Sequence, residues 1–238
     1  MKNIQRCSLS SVLIFFALTF PVQAGTVSGT ITYEGEAPKL KPIKMDADPI
    51  CLSKHSAEVM PQIIVLGEGS TMGNVFVYIS KGEPKKDYPV PTTEAVITQE
   101  GCQYHPHVLG LMKGQTLKIL NPDGTLHNVH AIPKENKEFN LAMPKFRTEI
   151  TMTFDKPEFM FPIKCDVHPW MGAWIAVMSH PYFAVSGTDG KFTIADLPPG
   201  EYEIQAWQEK LGTQTATVTI ATADEAKEVN FKFAKPSQ

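Results

Sequence analysis

The sequence predicts an all-β protein. Three observations carry this: period-two alternation recurs after residue 24, helical periodicity is scarce, and 16 glycines and 19 prolines are spread along the 238 residues as turn signals. Val27, Gly29, Ile31 and Tyr33 alternate with polar residues, and so do Tyr202, Ile204 and Ala206 and then Ala216, Val218 and Ile220. The runs Asn74 to Ile79, Leu117 with Ile119, Phe159 to Lys164 and Trp174 to Met178 also read as strands bounded by turn residues. Only Lys134 to Lys145 permits a helix, and its polarity makes a loop an equal expectation.

The first 24 residues have another character. Lys2 and Arg6 precede an apolar run from Val12 to Phe20, and Val22-Gln23-Ala24 offers a small-residue cleavage site. A cleaved signal peptide is expected over residues 1–24, leaving an exported chain that starts at Gly25. The apolar run is shorter than the ~20 residues a membrane-crossing helix needs, so no membrane span is expected. Periplasmic export is the expected location. The signal holds two of the 22 basic residues and none of the 25 acidic ones, so the exported chain is more acidic than the −3 of the whole. That balance lacks the basic excess that nucleic acid or an anionic membrane surface would attract.

Three cysteines remain after export: Cys51, Cys102 and Cys165. An odd count in an oxidising compartment leaves one thiol to explain. The expectation pairs Cys51 with Cys102 as a disulfide and gives Cys165 to a metal, because a free thiolate there is an oxidation liability.

The metal reading rests on Cys165-Asp166-Val167-His168-Pro169-Trp170-Met171, which sets a thiolate, an imidazole and a thioether in one short loop after a strand. A distant imidazole is supplied by His127, where the Asn121 to Thr125 turn gives way to an apolar strand. Two imidazoles and a thiolate in a near-trigonal plane with a weak axial thioether are what a blue-copper centre requires. C-x-x-H runs also occur in zinc sites, but zinc seldom uses a thioether. Thr92 to about Tyr182 resembles a cupredoxin domain of the plastocyanin and pseudoazurin type. Gly114 to Asp123 matches that family's G-x-x-x-x-x-x-N-x-D segment, and Asn128 follows His127 as the family's Asn follows its first ligand. The resemblance implies a Greek-key β-sandwich and one copper ion, with His127, Cys165 and His168 as equatorial ligands and Met171 as the axial one. The two residues between His168 and Met171 are fewer than the four usual in plastocyanin-like loops.

A second resemblance covers Ser186 to Phe233. Asp189-Gly190-Lys191-Phe192-Thr193-Ile194 and then Leu197-Pro198-Pro199-Gly200-Glu201-Tyr202 are similar to the paired turns of the carboxypeptidase regulatory-like, or transthyretin-like, β-sandwich. Gly25 to Ile31 looks like that family's first strand, so this sandwich is expected to be split by the copper domain. The expected division is a signal peptide at 1–24, N-terminal strands at 25–91, a cupredoxin-like domain at 92–182 and a second small sandwich at 183–238.

The remaining histidines divide. His105 and His107 sit two apart, so on an extended strand they share a face and form a candidate second metal site, against local hydrogen bonding beside Cys102 as the alternative. His130 is expected to be structural, and His55 and His180 to lie at the surface. Pro169, Trp170, Gly172 and Trp174 flank His168, suggesting an apolar rim around an exposed imidazole edge, with Trp174 starting a core strand. The expected function is one-electron transfer with a periplasmic redox partner protein such as a c-type cytochrome. A copper carrier or buffer and a non-catalytic β scaffold are the alternatives. No nucleophile-base-acid motif or phosphate loop points to an enzyme.

Overall fold

The structure is a computed structural model that describes residues 24–235, so the expected signal peptide, apart from its last residue, lies outside it. The described chain is all-β, with one short helix at Pro49–Ser53 and a single 3-10 turn. No helix among the described residues is long and apolar enough to cross a membrane. Strands fall on every alternating run named above, and Phe139–Met143 within the helix-permissive stretch is a strand as well. Its partner decides that outcome: Phe139 to Met143 pair residue by residue with Ala131 to His127, and a neighbouring ladder overrides weak helical propensity.

The strands form two sandwiches. In the first, Gly25–Glu34 runs at the centre of a sheet, antiparallel to Lys191–Leu197 and parallel to Ala226–Glu228 and Phe231–Ala234. The facing sheet orders Phe183–Val185, Phe76–Lys81, Gly200–Gln208 and Gly212–Ile220, all antiparallel. Val27, Ile31, Val77, Ile79, Phe192, Ile204 and Phe233 point between them into one apolar core. Strands from both ends of the chain thus share one core, with the intervening residues built outward from it. Gly29 has a packing reason: a Cβ there would stand 1.8 Å from the Val229 carbonyl oxygen. The L-P-P-G-x-Y run has a hydrogen-bond reason, since the Tyr202 hydroxyl donates back to the Pro198 carbonyl at 2.6 Å and fixes the corner.

The second sandwich lies between residues 95 and 178. One sheet orders Phe139–Met143, His127–Ala131, Glu158–Lys164, Gly172–Met178 and Val108–Met112, the last pair parallel. The other orders Glu149–Met152, Leu117–Leu120, Ala95–Glu100 and Gln103–His105. Ile97, Tyr104, Leu111, Ile119, Ile163 and Ile175 fill the space between. A third, smaller cluster of Phe76, Val108, Ala176 and Met178, flanked by Trp174, Phe183 and Trp207, joins the two sandwiches. The segment 36–63, which carries the short helix, reaches from the first sandwich onto the second. Its Gln62 amide donates to the Tyr104 carbonyl at 3.1 Å, and His55 meets the Gly101 carbonyl at 2.8 Å.

Candidate metal centre

The first histidine is delivered by a self-bonded turn. Asn121 Nδ2 donates to the carbonyls of Thr125 and Met143 at 3.0 and 2.8 Å, and its Oδ1 accepts the Asp123 N–H at 3.1 Å. Gly124 takes φ +71°, a left-handed conformation glycine adopts without steric cost. The chain then enters its strand at His127. The cysteine loop closes on itself: Cys165 N–H donates to the Met171 carbonyl at 3.1 Å and Met171 N–H to the His168 carbonyl at 2.9 Å. Asn128 ties the two pieces together, since its Oδ1 accepts the Asp166 N–H at 2.6 Å. The Tyr104 hydroxyl donates to the Asn128 carbonyl at 2.7 Å and lies 3.3 Å from that of Lys164, spanning the strand that begins at His127 and the one that ends before Cys165.

These supports bring His127, Cys165 and His168 together, each buried, with one donor atom apiece inside 4.8 Å. His127 Nδ1 and His168 Nδ1 are 2.9 Å apart, and Cys165 Sγ is 3.8 Å from His168 Nδ1. The outer nitrogens are both committed to carboxylates: His127 Nε2 to Asp123 and His168 Nε2 to Asp48, each at 2.9 Å. A neutral imidazole that donates from Nε2 presents a bare lone pair at Nδ1. Two such lone pairs cannot face each other at hydrogen-bond distance unless a cation, either one extra proton or a metal ion, lies between them. With a sulfur alongside, the donor set fits a soft or borderline metal ion. Carboxylates behind ligating histidines are the usual device that fixes ring and tautomer at metal sites.

The electrostatics are cationic in preference. Burial opposes ionisation of Cys165, but hydrogen bonding with His127 and the Asn128, His168 and Val167 N–H groups outweighs it and lowers the thiol below its ordinary value. Burial likewise opposes charge on Asp123, yet His127, the Cys102 and Gly101 N–H groups and the Lys54 ammonium hold its carboxyl down to about 2. Hydrogen bonding to His168 is the largest cause keeping Asp48 below the usual carboxylate range. Two carboxylates and a thiol of lowered pKa therefore converge on two buried imidazoles.

Met171 is buried in the same apolar cluster as Cys165. The Cys51–Cys102 disulfide is present and buried, and Cys165 is free. Two site features escaped the sequence. Asp48 comes from 120 residues away in the loop crossing the second sandwich, and nothing in its local pattern beyond helix capping marks it. Asp123 belongs to the quoted N-x-D run, but its bond to His127 needed the turn's geometry.

The exposed imidazole edge is corrected. His168 is 2% exposed, because the Pro49–Ser53 helix and its Asp48 cap cover Nε2. Trp170 and Trp174 are both half-buried, and Trp170 Nε1 donates to the Cys102 carbonyl at 3.0 Å. His180 is corrected too: it is buried and stacks on Tyr182 at 5.6 Å. His107 has both ring nitrogens engaged, Nδ1 with the Gly172 carbonyl at 3.0 Å and Nε2 with Glu209 at 2.5 Å. Among the described residues no group of three metal-ligating side chains includes His105 or His107. His130 bridges Asp166 and Glu138 at 2.9 Å each, outside the centre.

No family model and no curated protein matches this chain. Solved structures that are similar include a novel purple cupredoxin from Nitrosopumilus maritimus, at 22% identity and TM-score 0.30 over 35% of this chain and 99% of that one. Amicyanin from Paracoccus versutus is similar at 22% identity and TM-score 0.32 over 43% of this chain and 97% of that one. The copper-containing nitrite reductase from Thermus scotoductus SA-01 is similar at 18% identity and TM-score 0.34 over 42% of this chain. This chain spans only 26% of the reductase.

Proposed function

We propose that this is an exported, periplasmic copper protein with one cupredoxin-like, mononuclear centre held by His127, Cys165 and His168, and with the Met171 thioether as its weak fourth donor. The observation that carries the reading is the facing pair of imidazole Nδ1 atoms, 2.9 Å apart beside a buried sulfur, with both Nε2 atoms committed to carboxylates. Copper bound there would supply a one-electron couple. The residues do the rest. Asp123 and Asp48 hold the rings so that both lone pairs converge, and the Asn128 and Tyr104 hydrogen bonds keep the cysteine loop and the first-histidine strand in register. A set fixed this firmly moves little between oxidation states, which suits electron transfer with a redox protein such as a c-type cytochrome. The first sandwich, read as carboxypeptidase regulatory-like, serves as the scaffold on which the metal domain is mounted.

One observation favours a second reading, a copper carrier or buffer. His168 is 2% exposed, so the centre is sealed beneath the 36–63 segment and not presented to a partner through an imidazole edge. The test separates the two. Protein isolated with copper should show an intense thiolate-to-copper visible band that is bleached and restored by reductant and oxidant, and Cys165→Ser or His127→Ala should abolish it. A redox-silent, cuprous-only protein that hands its ion to a chelating acceptor supports the carrier. A folded chain that binds no copper sinks both.

A further inference from the structure

The disulfide lies against the metal centre, a position that a fold staple alone does not require. Cys51 Sγ is 3.6 Å from His168 Nε2, and Asp48, Cys51 and His168 place one donor atom each inside 4.8 Å. On the other half of the bridge, Cys102, Asp123 and His127 do the same. Cys51 sits in the helix capped by Asp48, which holds His168, and Cys102 N–H donates at 2.7 Å to the Asp123 oxygen that holds His127. Cys51 Sγ thus sits at the Nε2 edge of His168, opposite the Nδ1 edge that Cys165 approaches, and Cys102 lies beside Asp123 and His127.

We propose that the dithiol form of this protein has a second, cuprous site between Cys51 and Cys102, which the disulfide form lacks. The bridge is buried, so a dithiol reductant reaches it during transient local opening and reduces it by exchange: it gives two electrons and two protons to the cysteines and becomes a disulfide itself. A cuprous ion then replaces the two thiol protons. Thiolates are the soft ligands that select cuprous ion, and the thiolate is the form that binds. The two thiolates are the donors, since His168 Nε2 stays committed to Asp48, and Lys54, 3.0 Å from Asp123, offsets the added negative charge.

The two thiols stay neighbours once the bond is opened, because other contacts hold the segment down. Asp48 bonds His168, Lys54 bonds Asp123, His55 meets the Gly101 carbonyl, and Trp170 donates to the Cys102 carbonyl. Both cysteines are 0% exposed and packed with Met45 and Tyr104, which shields a cuprous thiolate from water. The site needs no ion at Cys165, so it stands or falls separately from the centre described above. Thiol–disulfide state would set how many copper ions the chain holds.

The test counts cuprous ions by anaerobic titration against bicinchoninate, using the full exported chain in its disulfide form and after treatment with dithiothreitol and desalting. The dithiol form is expected to take one more equivalent than the disulfide form. Cys51→Ser/Cys102→Ser should give the same count before and after reduction, whereas Cys165→Ser should take none as the disulfide and one as the dithiol. Equal counts for the two wild-type forms, with both thiols verified free, would overturn the proposal. So would loss of the native circular dichroism on reduction, since the site needs the segment held in place. Wild-type protein that takes none as the disulfide and one as the dithiol would overturn the Cys165 centre and support this one.

Discussion

His127 and His168 meet through their Nδ1 atoms at 2.9 Å, edge to face, with ring centroids 4.8 Å apart. Each ring is set by a carboxylate behind it, and the two carboxylates reach it in different ways. Asp123 lies four residues before His127 in the same turn, whereas Asp48 arrives from the crossing segment. The first imidazole is positioned locally, and the second depends on tertiary structure.

That difference makes Asp48 the more revealing residue to change. Its Oδ1 accepts the Ile50 and Cys51 N–H groups at 2.8 and 3.2 Å, capping the short helix. Its Oδ2 holds His168. Asp48→Ala should cost about 1 kcal/mol of stability for the cap and weaken copper binding by roughly 10–100-fold for the lost ligand support. Urea denaturation of the apo protein and a copper competition titration measure the two effects separately. Unchanged copper affinity would show that the Asp48–His168 contact does not orient the ring.

Tyr104→Phe tests the tie between the ligand strands. The side chain is fully buried, and burial, with the neighbouring Cys165 and Asp166 adding to it, pushes its hydroxyl well above the ordinary tyrosine range. The hydroxyl therefore stays protonated and donates to the Asn128 carbonyl. Removing it takes a buried hydrogen bond from the Asn128 carbonyl and should cost about 1 kcal/mol. The urea midpoint should fall with no change in slope. A midpoint equal to wild type would mean that water replaces the hydroxyl.

The sequence displayed what is local. The alternation of Val27 to Tyr33 marked a strand, and the cysteine loop and the N-x-D turn marked side chains that the fold brings together, because strand period and turn chemistry act over a few residues. The odd count of cysteines after residue 24 singled out Cys165, which is free, and the Cys51–Cys102 bridge is present. The cap over His168 was not legible. Nothing within ten residues of Asp48 says that it will cross onto the second sandwich, and His168 beside Pro169 and Trp170 looked open because the segment that covers its ring is over a hundred residues away. His180 misled for a related reason: a polar residue between Ser179 and Pro181 reads as surface until Tyr182 stacks against it.

His180 also gives a pH dependence. Its ring is buried, and Nδ1 accepts the Tyr182 N–H at 3.2 Å, which only the neutral ring can do. Burial is the largest cause holding its pKa below 6.5, with Lys85 acting the same way and Glu83 opposing. The unfolded chain therefore takes up a proton at this position before the folded one does. The stability this ring contributes is complete above about pH 6.5 and is lost as pH falls from there toward the folded value. His180→Phe keeps the stacking and removes the titration. The wild type should lose stability relative to this variant on going from neutral pH to about pH 5, as followed by urea midpoints of the apo protein. Parallel pH profiles would refute the assignment.

Gly110 governs how the two sandwiches meet. It lies in Val108–Met112, the edge strand of the sheet that carries His127, and it faces the first sandwich. A Cβ there would stand 2.6 Å from ring carbons of both Phe76 and Phe183, which stack at 5.6 Å and are part of the cluster joining the sandwiches. Phe76 is fully buried and has little room to yield, and the half-buried Phe183 ring is stacked against it. Gly110→Ala should therefore push the sheets apart locally and cost about 1–3 kcal/mol, the usual range for overpacking. Trp174 and Trp207 sit in the same cluster with ring centroids 5.4 Å apart, so their fluorescence reports the displacement directly. The ligand set is in other strands and loops, so copper content and visible spectrum should stay at wild-type values while the denaturation midpoint and the tryptophan emission change. If the emission and midpoint hold and the spectrum changes instead, the contact at Gly110 supports the metal centre and not the junction.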